Sequence, residues 1–572
     1  MKTNKRAAVF MVFGLAFGSA IPLLSQTKGL RLISAEDMKF HLRFLGAREF
    51  EGRDVPSVGL NIASKYIAIM AEKYGLKPLL PEGSYSQELE LEVSTLSASR
   101  SYLRLMTELG EQKFLFPEAF GPNAWTAKPG TVSGELIFLG LGLHAPESNW
   151  DDYGEADLRG KIAVVLDADL PKDNAFKPAQ NRGFLINRTQ VARERGAVGI
   201  ISVIRQAREK YLAARGIGFD PGERVGFLDV ELDHQTYSSP AASSALFLQV
   251  DVRHDVASTI LGISRSDLDE MFEAISLGKP VARRDLPGKN LEIRIAFDKR
   301  KDTTDNIVGY VEGSDSRLKN EYVVIGSHHD HIGKREGKIF PGADDNASGA
   351  VAMLELVRAI KVERPKRSVI FVWHTAEENG LIGAYYFLAH SPVPVDKISA
   401  NLNLDMVTRN DPNAIYLIGS NKLSTELDSS IRAMNDRSVH LKLDYTYQEP
   451  SHPSHFFFRS DQLPYIKYGI PGVWFFCGTT EDYHEETDTV DKCDFQKMEK
   501  VTKLVYLVAW DVGNKPGLLK LDIHPEITAR GKHNLKFDWL KAAKERSSKG
   551  KIFSLRTSVG SWGIFVAAPP GP

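Results

Sequence analysis

Apolar positions recur along this chain with two periods, and the changes between them divide it. Near the N-terminus the period is helical. Met38, Leu42 and Leu45 share one face after Ser34, and Ala63, Tyr66, Ile67 and Met70 share another between about 59 and 73. Ser34 is placed to cap the first helix, and Gly75 stops the second. From there to Phe114 short strand-like runs alternate. Between about 125 and 285 the strand candidates are Leu136-Ile-Phe-Leu-Gly, Lys161-Ile-Ala-Val-Val-Leu, Val198-Gly-Ile-Ile-Ser-Val and Ala245 to Val252. One Arg/Ala-rich helix, about 187–196, lies among them. This reads as a β-rich module with no cluster of catalytic residue types, suited to binding or covering.

From about 300 to 515 strands and helices alternate. Tyr322-Val-Val-Ile-Gly, Ser368-Val-Ile-Phe-Val-Trp, Ser399-Ala-Asn-Leu-Asn-Leu and Gly472-Val-Trp-Phe-Phe read as buried strands. Helices are predicted at about 346–361, 381–389 and 494–512. Short apolar strands between helices predict an α/β fold with a mostly parallel sheet sandwiched by helices. Ligands in such folds collect at the carboxyl ends of the strands.

Composition narrows the function classes. The chain has 572 residues, a soft prior of three or four folding units. Lys plus Arg is 72 and Asp plus Glu is 73, a formal net charge of −1, which gives no support for a nucleic-acid partner. Hydrophobic residues at 42% and charged residues at 25% exclude a disordered, collagen-like or polytopic membrane chain. Cys477 and Cys493 are too few for a disulfide framework or a thiolate zinc site. Whether they pair is open, and any metal must be held by His, Asp and Glu. Lys2, Lys5 and Arg6, the apolar run Ala7 to Phe17, and Gly18-Ser-Ala follow the order of a secretory signal. Residues 1–25 are therefore expected to be a signal peptide. The mature protein is expected to be periplasmic or extracellular, without stable membrane insertion. Residues 516–572 form a basic, Lys-rich tail, read as solvated surface.

The chemistry lies in five short motifs. Ser327-His328-His329-Asp330-His331 follows a strand. Alternate residues of an extended segment share a side, so His328 pairs with Asp330, or His329 with His331; local physics does not choose. Asp344-Asp345-Asn346-Ala-Ser-Gly349 runs into a helix, where adjacent carboxylates cap the helix or bridge cations. His374-Thr-Ala-Glu377-Glu378 and Asn403-Leu-Asp405-Met each end a strand, and Tyr483-His484-Glu-Glu-Thr487-Asp488 joins a strand to a helix. Each motif except the first is weak alone. Together they offer His, Asp, Glu, Asp and His at one sheet edge, a nitrogen and oxygen donor set that suits zinc. With one carboxylate shared, five side chains give each of two ions three protein ligands, as in two-metal hydrolytic sites.

These motifs resemble the di-zinc exopeptidase family of secreted bacterial zinc aminopeptidases and glutamate carboxypeptidase. They fall in the family's order over about 300–510, and Phe50-Glu-Gly-Arg53 and Tyr85-Ser-Gln87 resemble its opening segment. The resemblance implies residues 34–120 as the N-terminal part of the peptidase domain and 290–515 as the catalytic domain. It also implies a protease-associated-like insert at 125–285. His328 and Asp405 would hold one of two Zn2+ ions, and Glu378 and His484 the other. Asp345 would bridge them. Glu377 would be the general base, and Asp330 would orient His328. His329, His331, Asp344 and His374 would be supporting or structural. One departure stands out: relatives have Ser-Asp-His where this chain has Ser460-Asp461-Gln462. The group that polarises the scissile carbonyl is therefore open, with His455 as a guess. The implied activity is removal of N-terminal residues from peptides by attack of a metal-bound water. A carboxypeptidase or dipeptidase is the near alternative; it needs a cationic pocket, for which Arg459 and Lys467 are candidates. A glutaminyl cyclase-like zinc acyltransferase and a non-enzymatic binding protein are the others, and the complete five-ligand set argues against both. Oligomeric state is not fixed by sequence.

Overall fold

The computed structural model describes residues 28–122, 127–168, 184–227, 246–450, 452 and 454–523. The expected signal peptide, and the tail from 524 onward, lie outside the described residues. Among the described residues no helix is long and apolar enough to cross a membrane.

The N-terminal helices start where their caps place them. Ser34 Oγ accepts from the Asp37 amide at 3.2 Å, and Ala35–Leu45 buries Met38, Leu42 and Leu45. Ser57 Oγ accepts from the Leu60 amide at 3.0 Å, opening Val58–Lys73. With Gly349–Val362 and Phe495–Asn514 these helices cover one face of a ten-stranded sheet. The other face carries Ile382–Ala389 and Gln462–Lys467 over Val324, Ile370, Val372 and Tyr465.

At the centre of that sheet Ser368–His374, Tyr322–His328, Ile398–Leu404 and Gly472–Phe476 lie side by side and parallel. Three of the four are buried at every residue, as strands covered on both faces must be. The flanks are antiparallel: Phe297–Val311 and Ser86–Leu96 on one side, Ala414–Ile418 on the other. The predicted helix-covered mixed sheet is thus what forms, with the motifs on its central parallel strands and one further parallel pair, Ala414–Ile418 with Lys442–Asp444, at its edge.

A second, eight-stranded sheet contains Gly130–Phe138, Ile162–Leu166, Gly199–Val203 and Leu248–Val252 as a parallel core. It differs from the sequence reading in three ways. Tyr102–Thr107 and Gly110–Leu115, assigned from sequence to the first module, pair here instead, and Phe120–Pro122 joins them in this sheet. Helices Gln206–Arg215, His254–Leu261 and Arg265–Ser276 accompany Phe184–Glu194, so the module is α/β rather than simply β-rich. Arg224–Phe227 leaves it to pair with Ser86–Leu96 at the edge of the first sheet. Strand periodicity reports which face is buried, not which sheet supplies the partner.

Candidate metal centre

The parallel strands bring the motifs to one edge. His328 is the last residue of its strand and pairs in register with His374. Glu377 and Glu378 follow His374, Asp405 follows Leu404, and His484 lies in the loop after Gly472–Phe476. Asp345 lies in the turn Ala343–Ser348 that opens Gly349–Val362. Two glycines make that turn possible. Gly342 has φ +60°, and a Cβ there would sit 2.2 Å from the Asp345 carbonyl oxygen. A Cβ on Gly349 would sit 2.4 Å from the Leu404 carbonyl oxygen, so only glycine lets the helix start this close to the strand.

The side chains converge in two sets. His328 Nε2 lies 3.4 Å from Asp405 Oδ1, 3.6 Å from Asp345 Oδ1 and 4.0 Å from Glu377 Oε2. His484 Nε2 lies 3.1 Å from Asp345 Oδ2 and 3.3 Å from Glu378 Oε2. The two oxygens of Asp345 therefore face different sets. His331, left outside the ligand set by sequence, joins the second: its Nδ1 is 2.9 Å from Glu378 Oε1 and 3.8 Å from Asp345 Oδ2. His331, Asp345, Glu378 and His484 offer one ligand cluster, and His328, Glu377 and Asp405 another.

The donor set fits divalent cations such as zinc. Among the described residues Asp405 Oδ1 and His484 Nε2 are shielded from solvent and meet only other members of the cluster, none in good hydrogen-bond alignment, a costly arrangement unless another group takes them. The carboxylates also repel one another. Burial pushes Glu377 well above the usual carboxyl range, and Glu378, Asp461 and Asp405 add to it. Burial raises Glu378 too, but His484 and His331 outweigh it and hold that carboxyl well below its usual value. Burial would lower His484; Glu378 and Asp345 prevail and raise it to about 10.

Neighbouring residues fix these side chains. Asp330 Oδ1 and Oδ2 accept from the Glu377 and Glu378 amides at 3.1 and 3.3 Å. Its carboxylate lies 3.7 Å from His328 Nδ1, which instead contacts the Asp330 carbonyl oxygen at 3.3 Å. Asn346 ties three segments: its Nδ2 donates to Ser327 Oγ and the Leu404 carbonyl, and its Oδ1 accepts from the Gly349 and Met406 amides. Asp488 accepts from the Asp344 and Asp345 amides at 3.0–3.1 Å. Asp344 accepts from Thr408 Oγ1 at 2.6 Å and from Cys477 Sγ at 3.2 Å, and both cysteines are free thiols. His329 is structural: Nδ1 meets the His374 carbonyl at 2.7 Å and Nε2 meets Ser64 Oγ at 2.8 Å, and burial lowers it to about 4. His374 contacts Tyr465 OH at 3.3 Å. Sequence reasoning gave Asn346 and Asp488 no role, although both stand inside quoted motifs.

A small cleft, open to solvent, lies over the cluster. Its walls include Met406, Phe456, Trp474 and Phe476, with Arg459 and Tyr483 as polar groups. His455 is not among the lining residues, whereas Tyr483 is; the tyrosine ring stacks on His484 with centroids 3.9 Å apart. Lys467 lies elsewhere, donating to Tyr385 OH at 2.7 Å.

Residues 306–509 match peptidase family M28. Curated relatives include leucine aminopeptidase 2 of Arthroderma otae, 26% identical over 259 residues, covering 40% of this chain and 47% of the relative. Another is a probable leucine aminopeptidase 2 of Aspergillus oryzae, 28% identical over 232 residues, covering 40% and 43%. The chain thus spans less than half the length of these curated relatives. Among solved structures, a zinc aminopeptidase from Bacillus subtilis aligns over 87% of this chain and 99% of its own, with TM-score 0.51 and 18% identity. That likeness extends the shared fold beyond the matched segment.

Proposed function

We propose that this protein, whose residues 306–509 match peptidase family M28, is an exported zinc aminopeptidase that removes N-terminal residues from peptides. The observation that carries the reading is the division of one carboxylate, Asp345, between the His328 and His484 sets at 3.6 and 3.1 Å. His328 and Asp405 would hold one zinc, Glu378 and His484 the other, and Asp345 both. Bound there, zinc supplies a Lewis acid that polarises a carbonyl and acidifies water.

The chain's own groups do the rest. Glu377 is buried at the cleft and, among the described residues, faces no basic partner nearer than His328 at 4.0 Å, so its Oε2 is placed to take a proton from the attacking water and return it to the leaving amine. His331 orients Glu378 through the contact to Oε1, leaving Oε2 for the metal. Asp330 fixes the backbone that carries both glutamates. Burial holds the Tyr483 phenol well above its usual pKa, so it stays a neutral donor. Arg459 Nη2 donates to the phenol oxygen at 3.0 Å, leaving the phenol proton for a substrate carbonyl. The apolar walls suit an apolar terminal side chain, in keeping with relatives named leucine aminopeptidases. The expected export rests on the pattern from Lys2 to Ala20.

The test is Glu377→Gln. Metal analysis is expected to find two zinc ions per chain, as in the unaltered protein, while kcat falls by about 10²–10⁴. Near-normal turnover in that variant would remove Glu377 from the proton-transfer role.

A further inference from the structure

We propose that Arg459 selects substrates carrying a carboxylate close to the scissile bond. The inference deepens the peptidase reading above and rests on it. Arg459 is half-buried in the cleft wall, beside Glu377, Phe456 and Tyr483. Its guanidinium is held in place: the central carbon lies 4.8 Å from the Phe456 ring centre and 5.7 Å from that of Tyr483. Among the described residues its hydrogen-bond acceptor is the Tyr483 phenol, and it forms no ion pair.

Arg409, from the neighbouring loop, pairs with Asp482 and lies 3.8 Å from Asp488, and buried Arg367 pairs with Glu321 at 2.8 Å. A guanidinium offers five donors in one plane, matched to the two oxygens of a carboxylate. Arg459 spends one on Tyr483 and presents the remainder next to the reacting groups. A charged, partly desolvated group so placed gains most from an anion that arrives with the substrate. Two sources share that chemistry: the free C-terminal carboxylate of a dipeptide, and the side chain of an acidic terminal residue. The rest of the lining is the histidine and carboxylate cluster, Tyr483 and apolar side chains, so neither source meets a second arginine or lysine there.

Two matched pairs separate the sources: leucyl-glycine against its C-terminal amide, and glutamyl- against glutaminyl-4-nitroanilide. Turnover is measured on zinc-loaded enzyme, and binding by calorimetry on zinc-loaded Glu377→Gln, each with and without Arg459→Gln or Arg459→Lys. The charged member of at least one pair is expected to be favoured about tenfold or more in kcat/KM and in Kd. Arg459→Gln is expected to bring that ratio to about one, and Arg459→Lys to restore part of it. The pair that responds identifies the source. Ratios near one in the unaltered protein, or ratios unchanged in Arg459→Gln, would overturn the proposal and leave Arg459 as a support for Tyr483. Absence of turnover with a normal binding ratio would instead count against the peptidase reading and leave the carboxylate site standing.

Discussion

Arg53 shows how single residues hold this site together without touching it. It is fully buried, and its guanidinium donates to the carbonyls of His329, Leu45, Pro341 and Gly342 at 2.8–2.9 Å. Burial lowers it only to about 10, so it stays charged at neutral pH. It links the opening segment to both the histidine motif and the aspartate turn. Arg53→Met leaves four carbonyls without their donor, and a loss of about 3 kcal/mol or more is expected in urea unfolding. Zinc affinity, read by chelator competition, should fall about 10–100-fold. His41 makes a separate prediction. It is 1% exposed, between Tyr66 OH and Tyr74 OH at 2.7 Å each, and burial lowers it to about 4. In the unfolded chain it titrates near 6.5. Between those values the unfolded state binds the extra proton, so stability from His41 is complete above pH 6.5 and lost as pH falls toward 4. Unfolding free energy measured across that window should fall less steeply in His41→Phe.

At the scale of elements, the turn from Gly342 to Gly349 tolerates little replacement. Gly349→Ala places a methyl against the Leu404 carbonyl, and the strand end that carries Asp405 must move. A loss of about 1–3 kcal/mol in thermal or urea unfolding is expected, accompanied by weaker zinc binding. This turn also marks where the sequence was legible and where it was not. Its carboxylates were visible because acidic pairs at a helix start are a recognisable pattern. The need for Gly349 and for Asn346 was not, because both answer contacts with strands far along the chain, at Leu404 and Ser327. The central strands and N-terminal helices could be read because their periodicity is local. Likewise, His331 could not be placed by local reasoning, since its partner Glu378 comes from the next strand over. His455 fits the residue type of a carbonyl donor, but it is Tyr483 that lines the cleft.

Across the whole molecule, two sheets share continuous chain. Ser86–Leu96 and Phe297–Val311 run antiparallel to each other in the first sheet, and the residues between them build the second. The two modules meet at the hairpin after His331. Arg208, on the Gln206–Arg215 helix, reaches Glu336 Oε1 at 2.6 Å, and Tyr211 OH donates to the Glu336 carbonyl at 2.9 Å. Glu336 sits in the hairpin that follows His331, and the adjacent Arg335 pairs with Asp54 at 2.6 Å. A double-mutant cycle on Arg208 and Glu336 is expected to give a coupling of about 0.5–1 kcal/mol, because the arginine is partly exposed. A coupling indistinguishable from zero would make that contact incidental to how the modules are held.

The central claim is that this cluster is a zinc centre which cleaves peptides from the amino end. The most direct measurement is release of nitroaniline from leucyl-4-nitroanilide by the protein before chelation, after chelation, and during back-titration with zinc. The account predicts loss of activity on chelation and full recovery at two zinc ions per chain. Hydrolysis that persists after the metal is removed, or no release from the fully zinc-loaded protein, would contradict it.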